Sequence, residues 1–197
     1  MDKMNKINRL LLINNYKILK IISKKQDDKY YDRCIEILEN GYTENYDEIN
    51  YIEDEVDEKI QKFVLSVICL YNDIYNSYLQ LKDKQLKNYI KNLNRFELKG
   101  FDGNDETVYM SYLRFLLEDD YKWYSIKKID KFSYNSHNSM IDEYRDILQK
   151  SSKYLMSPNH YKIFEPDELI DILKTEYDEN LPLELERKIK IKNIKTK

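Results

Sequence analysis

Alanine is missing from this 197-residue chain altogether, and there are only three glycines, three prolines, two cysteines, two histidines and one tryptophan. Cys34 and Cys69 lie far apart with no C-x-x-C spacing, so neither a disulfide framework nor a zinc site is signalled. The longest uncharged apolar stretch, Phe63 to Tyr71, falls well short of the roughly 20 residues that a spanning helix needs. Asn14, Asn15, Lys17 and Lys20 interrupt the apolar residues near the N-terminus and no small-residue cleavage site follows, which argues against a secretory leader and for a cytoplasmic protein. G-x-x-x-x-G-K-[ST] and G-x-G-x-x-G are both absent, as is a G-x-S-x-G elbow around any serine. No arginine is followed four to six residues on by histidine, which removes the signature of helical HEPN ribonucleases. His137 and His160 each stand alone, without a second ligand at metal-binding spacing. No cofactor or metal is called for.

What is present is charge and tyrosine. Charged residues make up 35% of the chain, the net charge is −3, and 19 tyrosines give much of the apolar content a polar end. With mean hydropathy at −0.78, this is a wet protein whose Tyr and Ile must fill the core that Ala and Leu fill elsewhere. The usage of Lys, Asn, Ile and Tyr is what AT-rich codons deliver, pointing to a low-GC bacterium or its phage. Six cations and no acid lie in 187–197 (Arg187, Lys188, Lys190, Lys192, Lys195, Lys197), so the remainder of the chain carries −9. Thr43 to Glu58, by contrast, holds eight acids and no base, and there Asp54 and Glu58 lie one helical turn apart. Such charge runs are ordinarily solvated faces. The basic tail could touch phosphates, dock as a strand, or remain disordered, and disorder or partner docking is the favoured reading.

Glycine and proline are confined to Gly41, Gly100, Gly103, Pro158, Pro166 and Pro182, leaving two long unbroken stretches that favour helices over the frequent turns of a β fold. The spacing predicts a first helix from about Lys6 to Lys25, with Ile7, Leu10, Leu11, Asn14, Ile18, Ile21 and Ile22 on one face. A second, Tyr30 to Asn40, is capped by Asp27 or Asp28, buries Tyr31, Cys34, Ile35 and Leu38, and ends at Gly41, the two forming a hairpin. From about Glu53 to Gln80 the residues Ile60, Val64, Val67, Tyr71, Ile74, Tyr78 and Leu81 repeat at alternating spacings of four and three, the seam of a long central helix. That seam exceeds what a short hairpin covers, so a homodimer or larger assembly is expected. Lys82 to Asn94 continues in register after a break. Asn104 is expected to cap the next helix, to about Asp120; a mixed stretch with Trp123 and Phe132 follows. Ser139 should cap a helix over Met140 to Ser152, and Pro166 should open the last, to about Tyr177.

The most distinctive local feature is Gly100-Phe101-Asp102-Gly103-Asn104-Asp105-Glu106. Gly103 is expected at positive φ ahead of the cap Asn104. Asp102, Asn104 and Glu106 imitate the opening of a calcium loop, but Thr107 stands where its glycine is required and Leu113 where its bidentate glutamate belongs. The favoured reading is a tight turn with structural Gly100 and Gly103. The same cluster, with Arg114 added, is the one candidate ligand site.

Taken in order, Arg9-Leu10-Leu11-Leu12 with Asn15-Tyr16-Lys17, Ile35, Leu38, Gly41 and Tyr42, and above all the G-F-D-G-N segment running into Tyr109, Tyr112, Arg114 and Phe115, with Met140 and Tyr144 beyond, resemble the YfbU family of bacterial proteins. The resemblance spans about Ile7 to Leu173 and implies an all-helical fold, commonly a homo-oligomer, in a family with no recognised catalytic residues to carry over. The expected architecture is therefore all-α, a multi-helix array with a long central helix. It comprises a single domain over 1–176, made of an N-terminal hairpin (about 6–41) and the helices of 53–176, then a basic extension, 177–197. The expected function is a non-enzymatic interaction or regulatory protein acting as a homo-oligomer. The alternatives are a nucleic-acid-contacting stress, cell-death or phage-defence effector that uses the basic tail, and an enzyme with a site near Asp102, Glu106 and Arg114.

Overall fold

In the computed structural model the described residues are 4–23, 28–49, 55–118, 122–129, 133–155 and 161–195, the side chains of 191–195 excepted. Among them there is no β-strand, only an isolated parallel bridge between Phe101 and Asn135. The fold is all-α, and the chain falls into two compact units, 1–55 and 56–197.

The first unit is a helical hairpin. Helix α1, Lys6–Ile22, starts where the Asn5 side chain accepts the Asn8 N–H at 2.8 Å; helix α2, Asp28–Asn40, ends at Gly41. Gly41 takes φ +71°, and both its N–H and that of Tyr42 return to the Ile37 carbonyl, at 2.9 and 3.0 Å. This left-handed cap behaves as the sequence predicts. A feature the sequence reading missed covers it: the Arg9 guanidinium donates to the Leu38 and Glu39 carbonyls, adding a cation at the end of α2. A 3-10 turn at Thr43–Glu48 follows, tied back by a bidentate Arg33–Glu48 pair at 2.6 and 3.0 Å. The core of this unit is Ile13, Cys34, Ile37, Leu38, Tyr46 and Ile49. The expected α1 stripe is therefore not the buried one. Ile7, Leu10, Leu11, Ile18, Ile21 and Ile22 are 54% to 84% exposed, and α1 packs on α2 through Leu12, Ile13 and Tyr16. The proposed cap Asp27 lies outside the described residues.

The second unit is built around α3, Glu58–Gln80. It starts five residues later than expected, because Asp57 accepts the Lys59 N–H at 2.7 Å and fixes the first turn. Asp83 likewise caps a separate α4, Lys84–Lys91, accepting from Gln85 and Leu86, which accounts for the break in the lysine-rich segment. Next come α5, Thr107–Glu118, and α6, Tyr124–Ile129, the latter within the stretch read as mixed; Phe132 lies outside the described residues. Helices α7, Ile141–Ser151, and α8, Pro166–Leu173, stand near their expected places, with Pro166 at the first position and the Glu168 carboxylate accepting the Glu165 N–H at 2.9 Å. Helix α9, Leu183–Lys195, ends the described chain.

Helix α3 spends its seam inside its own unit. Val64, Val67, Tyr71 and Ile74 are fully or almost fully buried, against α5, α6 and α7. Tyrosine does core work here. Tyr71 and Tyr144 donate to the Arg95 and Gly100 carbonyls (3.1 and 2.9 Å), and Tyr75 accepts the Leu98 N–H at 2.9 Å, so three buried hydroxyls pin the backbone of 95–100. Tyr71 meets Tyr75 and Tyr144 edge-on, as Tyr144 meets Phe101, while Tyr75 lies tilted against Phe96. Burial pushes the Tyr71 and Tyr144 hydroxyls well above their ordinary pKa, keeping them neutral donors.

Candidate functional site

The G-F-D-G-N turn follows directly from that pinned backbone. Gly100 takes φ +84°, and a Cβ there would lie 2.1 Å from the Tyr134 carbonyl oxygen. Phe101 drops into the core while its backbone makes the bridge, donating to Tyr134 and accepting from Ser136 at 3.0 and 3.1 Å. The Asp102 carboxylate accepts the Asn104 N–H at 3.1 Å, closing an Asx turn. The Asn135 side-chain oxygen accepts two N–H groups, Gly103 at 3.0 Å and His137 at 2.8 Å, and holds His137 at φ +58°.

Two expectations are corrected here. Gly103 is not at positive φ; it is needed for space, since a Cβ would stand 2.4 Å from the Asn135 amide nitrogen. Asn104 is exposed and two residues short of a cap, because the helix starts only at Thr107. Glu106 takes the place before it, yet its carboxylate serves another element. It accepts from the Asp102 N–H at 3.0 Å, the Ser139 hydroxyl, and the Met140 and Ile141 N–H groups at 3.0 and 3.2 Å. Ser139, expected to cap α7 itself, instead donates to the residue that does. Burial alone would raise the Glu106 pKa, but these donors outweigh it and hold the carboxyl below its ordinary range. A buried anion thus sits at the start of α7, where a helix N-terminus favours one.

Asp102, Asn104 and Glu106 are therefore joined, whereas Arg114 is not. It is exposed on α5, eight residues and about 12 Å of helix beyond Glu106. Among the described residues no group of three or more His, Cys, Asp or Glu is placed to hold a metal ion. Asp54, half of the imagined acidic pair, and His160 lie outside those residues, while Glu58 pairs with Lys62.

The basic extension is helical rather than disordered or strand-like over 183–195. Leu185 and Ile189 are buried in the second unit's core. Lys188 is engaged by Asp83 at 3.1 Å and Gln85 at 2.9 Å, leaving Arg187 and Lys190 as exposed cations of known placement. Lys197 and the side chains of Lys192 and Lys195 are outside the described set. A cleft of about 610 Å³ beside α9 has an apolar floor of Ile170, Leu181 and Ile189, and its rim sets Lys150, Lys174 and Lys190 against Asp167, Asp171 and Glu186. Its charges balance, so it offers no net attraction for an anion.

Two buried groups lay outside any sequence signal. Asp73 accepts the Lys162 N–H at 3.1 Å and burial pushes its pKa up to about 6. One turn on, the Ser77 hydroxyl accepts the Phe164 N–H at 2.8 Å, so together they fix the strand-like approach to α8. Cys34 is buried, and burial raises the Cys69 thiol pKa, which suits inert structural thiols.

No helix among the described residues is long and apolar enough to cross a membrane. A YfbU domain model matches residues 1–175. A UPF0304 protein of Methanocaldococcus jannaschii is 40% identical over 178 residues, covering 86% of this chain and 98% of that protein. On these two matches the chain belongs to the YfbU family.

Proposed function

We propose that this chain is a non-enzymatic interaction or regulatory protein of the YfbU type that works as a homo-oligomer. The outward face of α1 carries the reading. Six aliphatic side chains, from Ile7 to Ile22, are more than half exposed on one helix, a patch of the kind that marks an interaction surface on a protein this rich in charge. The central seam of α3, the original ground for expecting assembly, is spent inside the second unit and no longer supports it. The turn cluster adds little to an enzymatic reading, since Glu106 is fully used by four donors and Arg114 stands apart. Sedimentation equilibrium at micromolar concentration tests the proposal. A mass of at least twice 24.1 kDa is expected, and a monomer overturns it. Nucleic-acid contact through Arg187 and Lys190 is the competing reading; salt-sensitive binding that disappears on deleting 187–197 would favour it instead.

A further inference from the structure

We infer that α1 pairs with α1 of a second copy of this chain, antiparallel about a two-fold axis at Asn14. This rests on the interaction reading above and names the partner. Ile7, Leu11, Asn14, Ile18 and Ile21 follow one another at spacings of four, three, four and three, the alternation that keeps a stripe turned toward a neighbouring helix. The opposite side of α1 is already occupied: Ile13 is buried against α2, and Arg9 caps it. Among the described residues of this unit the outward stripe has no such cover.

Five positions of this face, Ile7, Leu10, Asn14, Ile18 and Ile21, are also symmetric about its centre, whereas Leu11 and Ile22 fall opposite Lys17 and Lys6. Asn14 lies seven residues from Ile7 and seven from Ile21, with Leu10 and Ile18 four to either side. An identical helix laid antiparallel with Asn14 opposite Asn14 brings Ile7 to Ile21 and Leu10 to Ile18 at both ends, the self-complementarity that a two-fold contact demands. The polar centre points the same way. A primary amide carries both donors and an acceptor, so two Asn14 side chains satisfy each other across the axis. A lipid surface would strand both. The symmetric positions hold no charge, and the Lys17 that falls opposite Leu11 is paired with Glu39 of α2, as its neighbour Lys20 is with Asp32. The six exposed aliphatics equal about four fully exposed side chains per copy, and two copies would remove on the order of 1,000 Å² or more, the size at which specific interfaces begin.

Variants of the full chain that each add one cysteine, oxidised under mild conditions, test the geometry, with the wild-type chain and its Cys34 and Cys69 as the background control. Asn14→Cys is expected to cross-link to itself; Ile7→Cys and Ile21→Cys are expected to stay uncross-linked alone and to cross-link when mixed. Ile18→Asp is expected to weaken self-association on the order of 100-fold or more while leaving the helical circular dichroism unchanged, because a charge would enter an apolar contact. Self-cross-linking of Ile7→Cys means a parallel pair and overturns the inference. An oligomer that survives Ile18→Asp and yields no Ile7–Ile21 cross-link overturns the pairing but leaves the oligomeric reading standing. A monomer at every concentration overturns both.

Discussion

Glu106 closes the turn that contains it and starts a helix 35 residues further on, with one carboxylate shared among four donors. Glu106→Gln keeps the shape but removes the charge, and is expected to cost about 2 kcal/mol in urea unfolding at pH 7. Its depressed pKa gives the sign of the pH dependence. The stabilisation is complete above the unfolded value near 4.5 and drains away as the pH falls through the lower folded value, so wild type and variant should converge in acid. Asp73 has the opposite sign. With a folded pKa of about 6 and an unfolded one of 3.8, the folded state holds its proton longer. Stability should therefore fall as the pH rises from about 4 to about 6; Asp73→Asn, which retains an acceptor for Lys162, should flatten that slope in midpoints measured across the range. The two glycines of the turn should also differ. Gly100→Ala combines positive φ with a backbone clash and should cost on the order of 3 kcal/mol. Gly103→Ala meets only the Asn135 amide and should cost about 1 kcal/mol, a loss diminished in an Asn135→Ala background.

At the scale of elements, α9 separates charge from packing. The sequence presents it as a run of cations, but two apolar residues four apart, Leu185 and Ile189, face inward and join the core. Ile189→Ala should cost on the order of 2 kcal/mol by thermal or chemical denaturation. Lys188→Ala removes an exposed pair with Asp83 and should leave the midpoint within error. Helix α3 makes the same point more strongly. Its alternating four-three repeat is that of a coiled-coil seam, yet α5, α6 and α7 of the same chain fill it. A heptad pattern specifies a partner helix and leaves open which chain supplies it.

The whole molecule divides into units that each own a core. Residues 56–197 enclose Tyr71, Phe96, Phe101 and Leu173 with side chains drawn from that stretch alone. Expressed without residues 1–55, that fragment is expected to fold and to melt cooperatively by calorimetry; a fragment without a transition would show that the hairpin is required for folding. The family model, covering 1–175, spans both the hairpin and most of the larger unit.

Helices and their ends were legible wherever the signal is local. Pro166 at a first turn, Gly41 at a left-handed cap and the long repeat of α3 act within a few residues of themselves, so the chain alone determines them. The G-F-D-G-N turn was legible as a turn for the same reason. Its internal roles were not, because Glu106 answers to Met140 and Ile141, and Gly103 to Asn135, partners more than 30 residues away. Helix α1 is apolar on two sides, Leu12, Ile13 and Tyr16 on one and Ile7, Leu11 and Ile18 on the other. Periodicity says that a face exists without saying which is spent. Only the packing of α2 against the first decided that, because burial depends on the neighbour that arrives, and that choice leaves the second face exposed.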